Sequence, residues 1–228
     1  MARLSIIIPT LNAAGSLRRS LPPLAAIEAA GLVREVIFAD GGSTDQTAEI
    51  AEISGARLVP ATRGRGTQLA AGAEASRGDW MLFLHADTKL AAGWESGVRG
   101  LIDDPENIDR AGYFRFGLDD AAVAARWLEA LVGLRCRLLK LPYGDQGLLV
   151  SRRLYDALGG FRPLPLMEDV DMVRRIGWRR LTPLGCAAET SAIRYRRDGY
   201  LLRPLRNLCC LTLYFLGVPP RAIEKFYG

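Results

Sequence analysis

The sequence lacks long apolar runs, cysteine motifs, internal repeats and low-complexity segments. Its longest apolar candidate, residues 208–218, has about half of the roughly 20 residues that a transmembrane helix needs. Its four cysteines show no metal-ligand spacing, and its first residues lead into a strand pattern without a secretion signal. We therefore expect a cytoplasmic globular protein with reduced thiols, not a membrane-spanning, fibrous or disulfide-stabilised one.

The length and the net charge restrict the expected number of domains and the class of ligand. The 228 residues, 49% of them hydrophobic and 24% charged, suffice for one large α/β domain. We expect this domain to span residues 1–195 and a helical extension to span residues 196–228. The net charge of +5 favours anionic ligands such as nucleotides, nucleic acid or lipid headgroups, without choosing among them.

Short apolar segments alternate with helical patterns through the first 84 residues. Strands are predicted at Leu4–Pro9, Glu35–Ala39, Arg57–Pro60 and Trp80–Leu84. This alternation predicts an α/β fold with a mostly parallel central sheet and helices on both faces. Ligands of such sheets bind at the carboxyl ends of the strands, where the following loops converge.

Other patterns concern packing. Residues 112–117 alternate in a way that favours an edge strand. A first helix is predicted with the apolar residues Leu17, Leu21, Leu24 and Ile27, and it is kinked or restarted at Pro22-Pro23. A second helix is predicted to be capped by Ser43 and to direct Ile50 and Ile53 inward. A long helix is predicted over residues 121–139, with an apolar stripe of Val123, Trp127, Leu131 and Leu138.

The loops after two strands suit binding of a nucleotide-like ligand. Asp40 could accept a hydrogen bond from a base edge, or stabilise the N-terminus of the next helix. Arg63-Gly64-Arg65-Gly66 offers backbone amides and guanidinium groups to phosphate, although a solvated basic loop is the alternative. It matches neither the dinucleotide fingerprint nor the nucleoside triphosphatase loop.

Three further acidic segments could carry chemistry. His85 and Asp87 end the central strand and point to the same side, where they could hold a divalent cation or simply face solvent. Glu168-Asp169 starts a helix and could stabilise its N-terminus or supply a general base. Asp145-Gln146 could hold hydroxyls of a second substrate or form a turn.

Five segments occur in a characteristic order: Ser5–Asn12, Asp40–Asp45, Arg63–Gly66, His85–Asp87 and Glu168-Asp169. Together they resemble the family two glycosyltransferases with the GT-A fold, over roughly residues 4–190. The resemblance implies transfer of a sugar from a nucleotide-diphosphate donor, commonly a UDP-sugar, to an acceptor hydroxyl. It further implies inversion of the anomeric carbon and a Mg²⁺ or Mn²⁺ cofactor.

The resemblance also assigns residues by position. The implied donor-binding residues are Pro9, Thr10, Asn12, Asp40, Arg63, Gly66, Gln68, His85 and Ala86. Among them, Asp40 would read the base, and Arg63 and Gly66 would lie near the ribose and diphosphate. Asp87 would bind the metal, and His85, which replaces the first aspartate of the family's Asp-x-Asp element, is the second candidate ligand.

On the acceptor side, the resemblance implies Asp169 as catalytic base with Glu168 beside it. Asp145 and Gln146 remain the candidates for holding acceptor hydroxyls. The segment Tyr200–Phe215 is helical and apolar, with basic residues at its start. It could pack on the domain, form a homodimer interface or lie on the inner face of a membrane, and a lipid-linked acceptor favours the last. No nucleic-acid partner is expected.

Two other classes of protein compete with this hypothesis. A sugar-phosphate nucleotidyltransferase needs a glycine-rich loop directly after the first strand, whereas Thr10–Gly15 contains one glycine. A non-catalytic module that binds a nucleotide-sugar or a lipid would keep the pocket, and it would not need Asp169.

Overall fold

The computed structural model describes residues 3–24, 31–139 and 141–227. The strands are β1 (Leu4–Thr10), β2 (Val33–Asp40), β3 (Arg57–Pro60), β4 (Trp80–Phe83), β5 (Thr88–Leu90), β6 (Ala111–Leu118), β7 (Leu148–Ser151) and β8 (Leu181–Thr190). The labelled helices are α1 (Ala14–Ser20), α2 (Thr47–Ser54), α3 (Arg65–Ala75), α4 (Trp94–Ile102), α5 (Val123–Leu139), α6 (Arg152–Ala157), α7 (Glu168–Ile176), α8 (Ile193–Asp198), α9 (Leu202–Phe215) and α10 (Pro220–Tyr227). Within these residues, the helices are too short or too polar to cross a bilayer.

The eight strands form one sheet in the order β3-β2-β1-β4-β7-β6-β8-β5. Strand β1 pairs in parallel with β2 and β4, and β2 pairs in parallel with β3. Strand β7 is antiparallel to β4 and β6, β5 is antiparallel to β8, and β6 is parallel to β8. The predicted α/β class is confirmed. The predicted edge strand is wrong, because β6 lies inside the sheet between β7 and β8.

Alternation along β1 divides the core between the two faces of the sheet. Ile7 belongs to one buried cluster, with residues of α3, α7 and α9. Ile6 and Ile8 belong to the other, with residues of α1 and α4. The apolar runs of β1, β2 and β4 are therefore buried on both faces, which leaves the polar residues at their carboxyl ends to form a site.

Several packing predictions fail. Ile53 is 79% exposed, so it does not face the core. Ser43 does not cap α2, because that helix begins at Thr47 and the Thr47 amide donates to Asp45 Oδ1 over 3.0 Å. Residues 22–24 are helical again after a break at residue 21, as the restart at Pro22-Pro23 requires. Ile27 lies outside the described residues.

Helices α5 and α9 each have one buried and one exposed apolar side. The predicted stripe of α5 faces solvent, and Leu128 and Cys136 make the buried contacts of that helix. In α9, Cys210 and Leu211 are buried in the cluster that contains Ile7. The stretch predicted as an extension therefore contacts the core of the sheet.

Candidate active site

Cavity I lies at the carboxyl ends of β1 and β4 and has a volume of about 380 Å³. The predicted residues in its wall are Pro9, Thr10, Asn12, Arg63, Gln68, His85, Ala86 and Asp87. Arg65 and Arg194 complete a set of three arginines around this space. This concentration of guanidinium groups suits a ligand with several negative charges.

Cavity II, of about 120 Å³, adjoins cavity I. The two cavities share Arg65, His85, Asp87 and Arg194 in their walls. Further wall residues of cavity II are Tyr143, Asp145, Leu166, Met167, Asp169, Tyr195, Asn207 and Leu211. The structure thus brings Asp87 and Asp169 into one cleft, although 82 positions separate them in the sequence.

Two predicted donor residues lie outside the wall of cavity I. Asp40 Oδ1 accepts a hydrogen bond from Thr10 Oγ1 at 2.8 Å, and Oδ2 accepts from the Gly42 and Ser43 amides at 3.0 and 2.8 Å. Burial alone would raise the pKa of Asp40, but these hydrogen bonds hold it below its usual range. Gly66 packs under the loop of residues 162–164, where a Cβ would lie 2.9 Å from the Leu164 backbone nitrogen.

Two predicted glutamines direct their amides into the protein. Gln68 Nε2 donates to the carbonyl oxygens of Thr10 at 2.7 Å and Ala39 at 2.9 Å, so it ties the ends of β1 and β2 together. Gln146 Nε2 donates to the Phe114 carbonyl at 3.0 Å, and its side chain is 1% exposed. Gln146 is not in the wall of cavity II, so its position does not support a role in holding acceptor hydroxyls.

Asp169 lies at the start of α7. Its Oδ2 accepts a hydrogen bond from the Gly144 amide and its Oδ1 accepts one from the Val170 amide, both at 2.7 Å. Gly144 packs closely here, because a Cβ would lie 2.7 Å from His85 Nε2 and 3.1 Å from Asp169 Oδ2. The turn at Gly144 therefore holds Asp169 and His85 side by side.

Glu168 is fully buried and forms an ion pair across the site. Its Oε1 lies 2.8 Å from Arg65 Nε, and Arg65 lies in the walls of both cavities. Burial raises the pKa of Glu168 to about 7, although the Arg65 charge opposes this shift. This ion pair connects the arginine loop to the helix that carries Asp169.

Two other groups in cavity II have shifted pKa values. Burial raises the pKa of Asp145 to about 6, with the charge of Arg135 opposing it. Asp145 Oδ1 is buried and has no hydrogen-bond partner among the described residues. Burial and the charge of Arg65 lower the pKa of His85 to about 4, so its imidazole is neutral at neutral pH. The wall of cavity II thus includes a residue whose buried acceptor oxygen has no partner among the described residues, and a neutral imidazole.

Each cavity has in its wall a non-glycine residue with a positive backbone φ angle. Among the residues that the structure describes, the non-glycine residues with positive φ are Asn12, at 50°, and Met167, at 65°. Such conformations are uncommon outside glycine. Asn12 lies in the wall of cavity I and Met167 in that of cavity II.

Sequence reasoning missed several wall residues, among them Arg194, Tyr195 and Asn207, which α8 and α9 supply. It also missed β8, which leads directly into α8. Arg194 stands among many arginines after residue 170, and no spacing distinguishes it from its neighbours. Arg65 belonged to a recognised loop, but its ion pair with Glu168 depends on tertiary contacts.

His85 and Asp87 are the candidate metal ligands. No group of three or more His, Cys, Asp or Glu side chains that could hold a metal is found among the described residues. A carboxylate and a neutral imidazole are nevertheless suitable donors, and Mg²⁺ is commonly bound by one or two protein ligands together with substrate phosphates. The two residues therefore fit a cation that is completed by phosphate oxygens and water.

The sheet order and the cavities at the strand ends define an α/β protein of the GT-A type with an arginine-lined cavity. The family model of Glycosyl transferase family 2 matches residues 5–137, which is more than half of the chain. The chain belongs to this family.

Known proteins with related sequences or structures agree with this assignment. The PGL/p-HBAD biosynthesis glycosyltransferases of Mycobacterium tuberculosis and Mycobacterium bovis are 39% identical to the chain over 93 residues, or 38% of this chain. The matched segment spans only 36% of the length of these relatives.

Solved structures agree at the level of the fold. Glucosyl-3-phosphoglycerate synthase from M. tuberculosis, in complex with Mn²⁺, UDP-glucose and phosphoglyceric acid, superposes with a TM-score of 0.63 at 22% identity, covering 96% of this chain and 81% of that one. S. aureus TarS superposes with a TM-score of 0.64 at 16% identity, covering 92% of this chain and 39% of that one. At these identities the likeness supports the GT-A fold.

Proposed function

We propose that the protein is a glycosyltransferase that moves a sugar from a nucleotide-diphosphate donor to an acceptor hydroxyl, with inversion. The observation that carries this proposal is that an arginine-lined cavity and a smaller one share a wall that contains Asp87, while Asp169 lies in the wall of the smaller cavity. A UDP-sugar is the favoured donor, because the synthase with a similar fold was crystallised with UDP-glucose and Mn²⁺.

Cavity I binds the donor in this proposal. Arg63, Arg65 and Arg194 lie where they can neutralise the diphosphate and the negative charge that grows on it as the glycosidic bond breaks. Asp87 and His85 would hold the divalent cation, which when bound supplies further positive charge to the leaving group. Asp40 remains a proposed contact of the base, acting from the turn that its hydrogen bonds fix.

Cavity II binds the acceptor hydroxyl, and Asp169 is the general base. Its hydrogen bonds from two backbone amides fix the carboxylate, which then removes the proton of the hydroxyl as the oxygen attacks the anomeric carbon. Attack from the side opposite the diphosphate gives inversion in one displacement. In this proposal Asp145 Oδ1, which has no hydrogen-bond partner among the described residues, accepts a hydrogen bond from a second acceptor hydroxyl.

A donor screen tests the proposal. Purified protein is incubated with UDP-, GDP- and dTDP-sugars and hydroxylated acceptors, with Mn²⁺ or with a chelator, and release of nucleoside diphosphate is measured. We expect Mn²⁺-stimulated release with one donor class and a product of inverted anomeric configuration by NMR. Donor binding without release would instead indicate a binding module. Release of pyrophosphate in a separate incubation with a nucleoside triphosphate and a sugar 1-phosphate would indicate a nucleotidyltransferase.

A further inference from the structure

Helix α5 exposes an apolar face that nothing in the described residues covers. Val123, Trp127, Leu131, Leu134 and Leu138 are 72%, 69%, 60%, 53% and 71% exposed. Their spacing of four, four, three and four residues places them on one side of the helix, because successive side chains turn by about 100°. Large apolar side chains that are exposed singly are ordinary, but a contiguous row of them marks an interaction surface.

The exposure is not a sign that α5 is loosely attached. Ala125, Leu128 and Cys136, on the opposite side of the helix, are 0%, 7% and 4% exposed. Arg135, from the last part of α5, stacks on the ring of Tyr143 in the wall of cavity II, 3.5 Å from its centroid. The helix is therefore apolar on two sides, and one of these sides is already satisfied by the core.

The charges beside the exposed face are positive. Helix α5 carries Arg126, Arg135 and Arg137 against a single carboxylate, Glu129. The Glu129 side chain is only 10% exposed, and it accepts a hydrogen bond from the Leu118 amide at 2.7 Å. Arg126 pairs with Glu129 and Arg135 stacks on Tyr143, so a partner that approaches the face meets apolar side chains beside the exposed Arg137, on a helix of net positive charge.

Helix α9, which contributes to the wall of cavity II, also exposes apolar residues on one side. Tyr200, just before α9, packs in a small cluster with Leu128 of α5, so the two segments are neighbours. The exposed apolar residues at or near α9 are Leu201, Leu202, Leu205, Leu208, Phe215 and Leu216. The other side of α9 contributes Arg203 and Asn207 to the wall of cavity II.

We propose that the exposed face of α5, here named the α5 face (Val123, Trp127, Leu131, Leu134 and Leu138), docks on a membrane surface rich in anionic lipid headgroups. An apolar face on a helix of net positive charge is the pattern of a helix that lies in the interface of such a bilayer. A second copy of this chain is the weaker occupant, since a symmetric contact would bring the positive charge of two α5 helices together. The proposal stands independently of the proposed glycosyl transfer.

Vesicle binding tests the proposal. The protein is sedimented with phosphatidylcholine vesicles, with and without phosphatidylglycerol, and the bound fraction is measured against lipid concentration. We expect binding to the anionic vesicles to be at least about tenfold stronger than to neutral ones, and high salt to weaken it. Absence of binding to either kind of vesicle would overturn the proposal.

Substitutions on the α5 face locate the contact. The double variant Trp127→Glu/Leu131→Glu should lower vesicle affinity by about tenfold or more, since two apolar contacts are replaced by charges that the anionic surface repels. The matched control is Ile53→Glu on α2, because Ile53 is 79% exposed yet lies away from the α5 face. Equal losses in both variants, or none in the double variant, would contradict the assignment.

Two further measurements separate other outcomes. In a Trp178→Phe background, Trp127 is the exposed tryptophan, since Trp80 and Trp94 are 3% and 1% exposed, and its emission should shift to the blue on anionic vesicles. Arg137→Gln is a milder change that can be used if the double variant is unstable. It should weaken binding to anionic vesicles and leave binding to neutral vesicles unchanged. A dimer in solution that dissociates in the double variant would assign the α5 face to a second copy instead.

Discussion

The two cavities differ in how completely their polar groups are satisfied. Around cavity I, Asp40 accepts several internal hydrogen bonds, Gln68 donates two, and Asn12 Oδ1 accepts one from the Thr44 amide at 2.9 Å. Around cavity II, Asp145 Oδ1 and Asn207 Oδ1 are buried and have no hydrogen-bond partner among the described residues.

This difference indicates different kinds of recognition. Buried polar atoms without partners are uncommon in native proteins and point to a ligand or to water that completes them. A prearranged cavity I suits one constant group, such as a nucleotide diphosphate. The open acceptors of cavity II suit a hydroxylated ligand that supplies the missing donors. The predictions below test this contrast, beginning with the largest effect.

Asp169→Asn should break cavity II as a catalytic site while leaving cavity I intact. An amide cannot take the acceptor proton, so we expect kcat to fall by about 10²–10⁴-fold with little change in donor affinity. Initial rates and donor titration by calorimetry measure the two quantities. The control is Asp156→Asn, an exposed carboxylate on α6. Turnover close to that of the unchanged protein would remove Asp169 from the role of base.

Asp87→Ala should weaken cation binding at the junction between the two cavities. If Asp87 binds the cation as proposed, loss of its carboxylate should lower kcat/KM by about 10–100-fold and raise the Mn²⁺ concentration needed for half-maximal rate. A Mn²⁺ titration of initial rates gives both values. If the variant needs no more Mn²⁺ than the parent, Asp87 does not bind the cation.

Gly66→Ala should lower the stability of the protein by disturbing the packing of the arginine loop, residues 63–66, beside cavity I. The added methyl group meets backbone atoms of Arg162 and Leu164, which cannot move as a flexible side chain can. We expect a loss of about 1–3 kcal/mol in the free energy of unfolding, measured by urea denaturation. In contrast, Gly100→Ala on α4 meets nothing within 4 Å and should stabilise the protein by roughly 0.5–1 kcal/mol. Equal effects would show that the packing at Gly66 is not tight.

Glu168→Gln should change the pH dependence of stability. The folded protein holds the Glu168 proton up to about pH 7, whereas an unfolded glutamate loses it near 4.5. The folded state therefore binds more protons between these values, and the contribution of Glu168 to stability is lost as pH rises from about 4.5 through 7. We expect the variant to lack a decline on the order of 1 kcal/mol or more. Urea denaturation at several pH values would contradict this if both proteins showed the same slope.

The sequence predicted the half of the fold whose strands are buried on both faces. The apolar runs ending at Pro9, Ala39 and Leu84 identified parallel strands, and adjacency in the sheet brought most of their loops to cavity I. Here local pattern and tertiary position coincide, because a doubly buried strand leaves polar residues only at its ends.

The other half depends on contacts that a local pattern does not encode. Periodicity identified the apolar stripe of α5 but could not reveal that Leu128 and Cys136 would make the core contacts instead. Gln146 looked like a loop amide, but its hydrogen bond to Phe114 required β6 to lie beside its turn. Arg194 lies in the cavity walls because β8 ends beside the site and α8 follows it in the chain.

The left-handed residues Asn12 and Met167 have a consequence for engineering. Each holds a backbone geometry that typically costs on the order of 1 kcal/mol, and each does so where a substrate would rest. Replacing Met167 with glycine should relieve that strain while altering the shape of cavity II. Replacing Asn12 with glycine would also remove the hydrogen bond that Asn12 Oδ1 accepts from the Thr44 amide. Attempts to make this protein more heat-resistant should therefore begin elsewhere, since we expect stability gained at these two positions to lower the proposed activity.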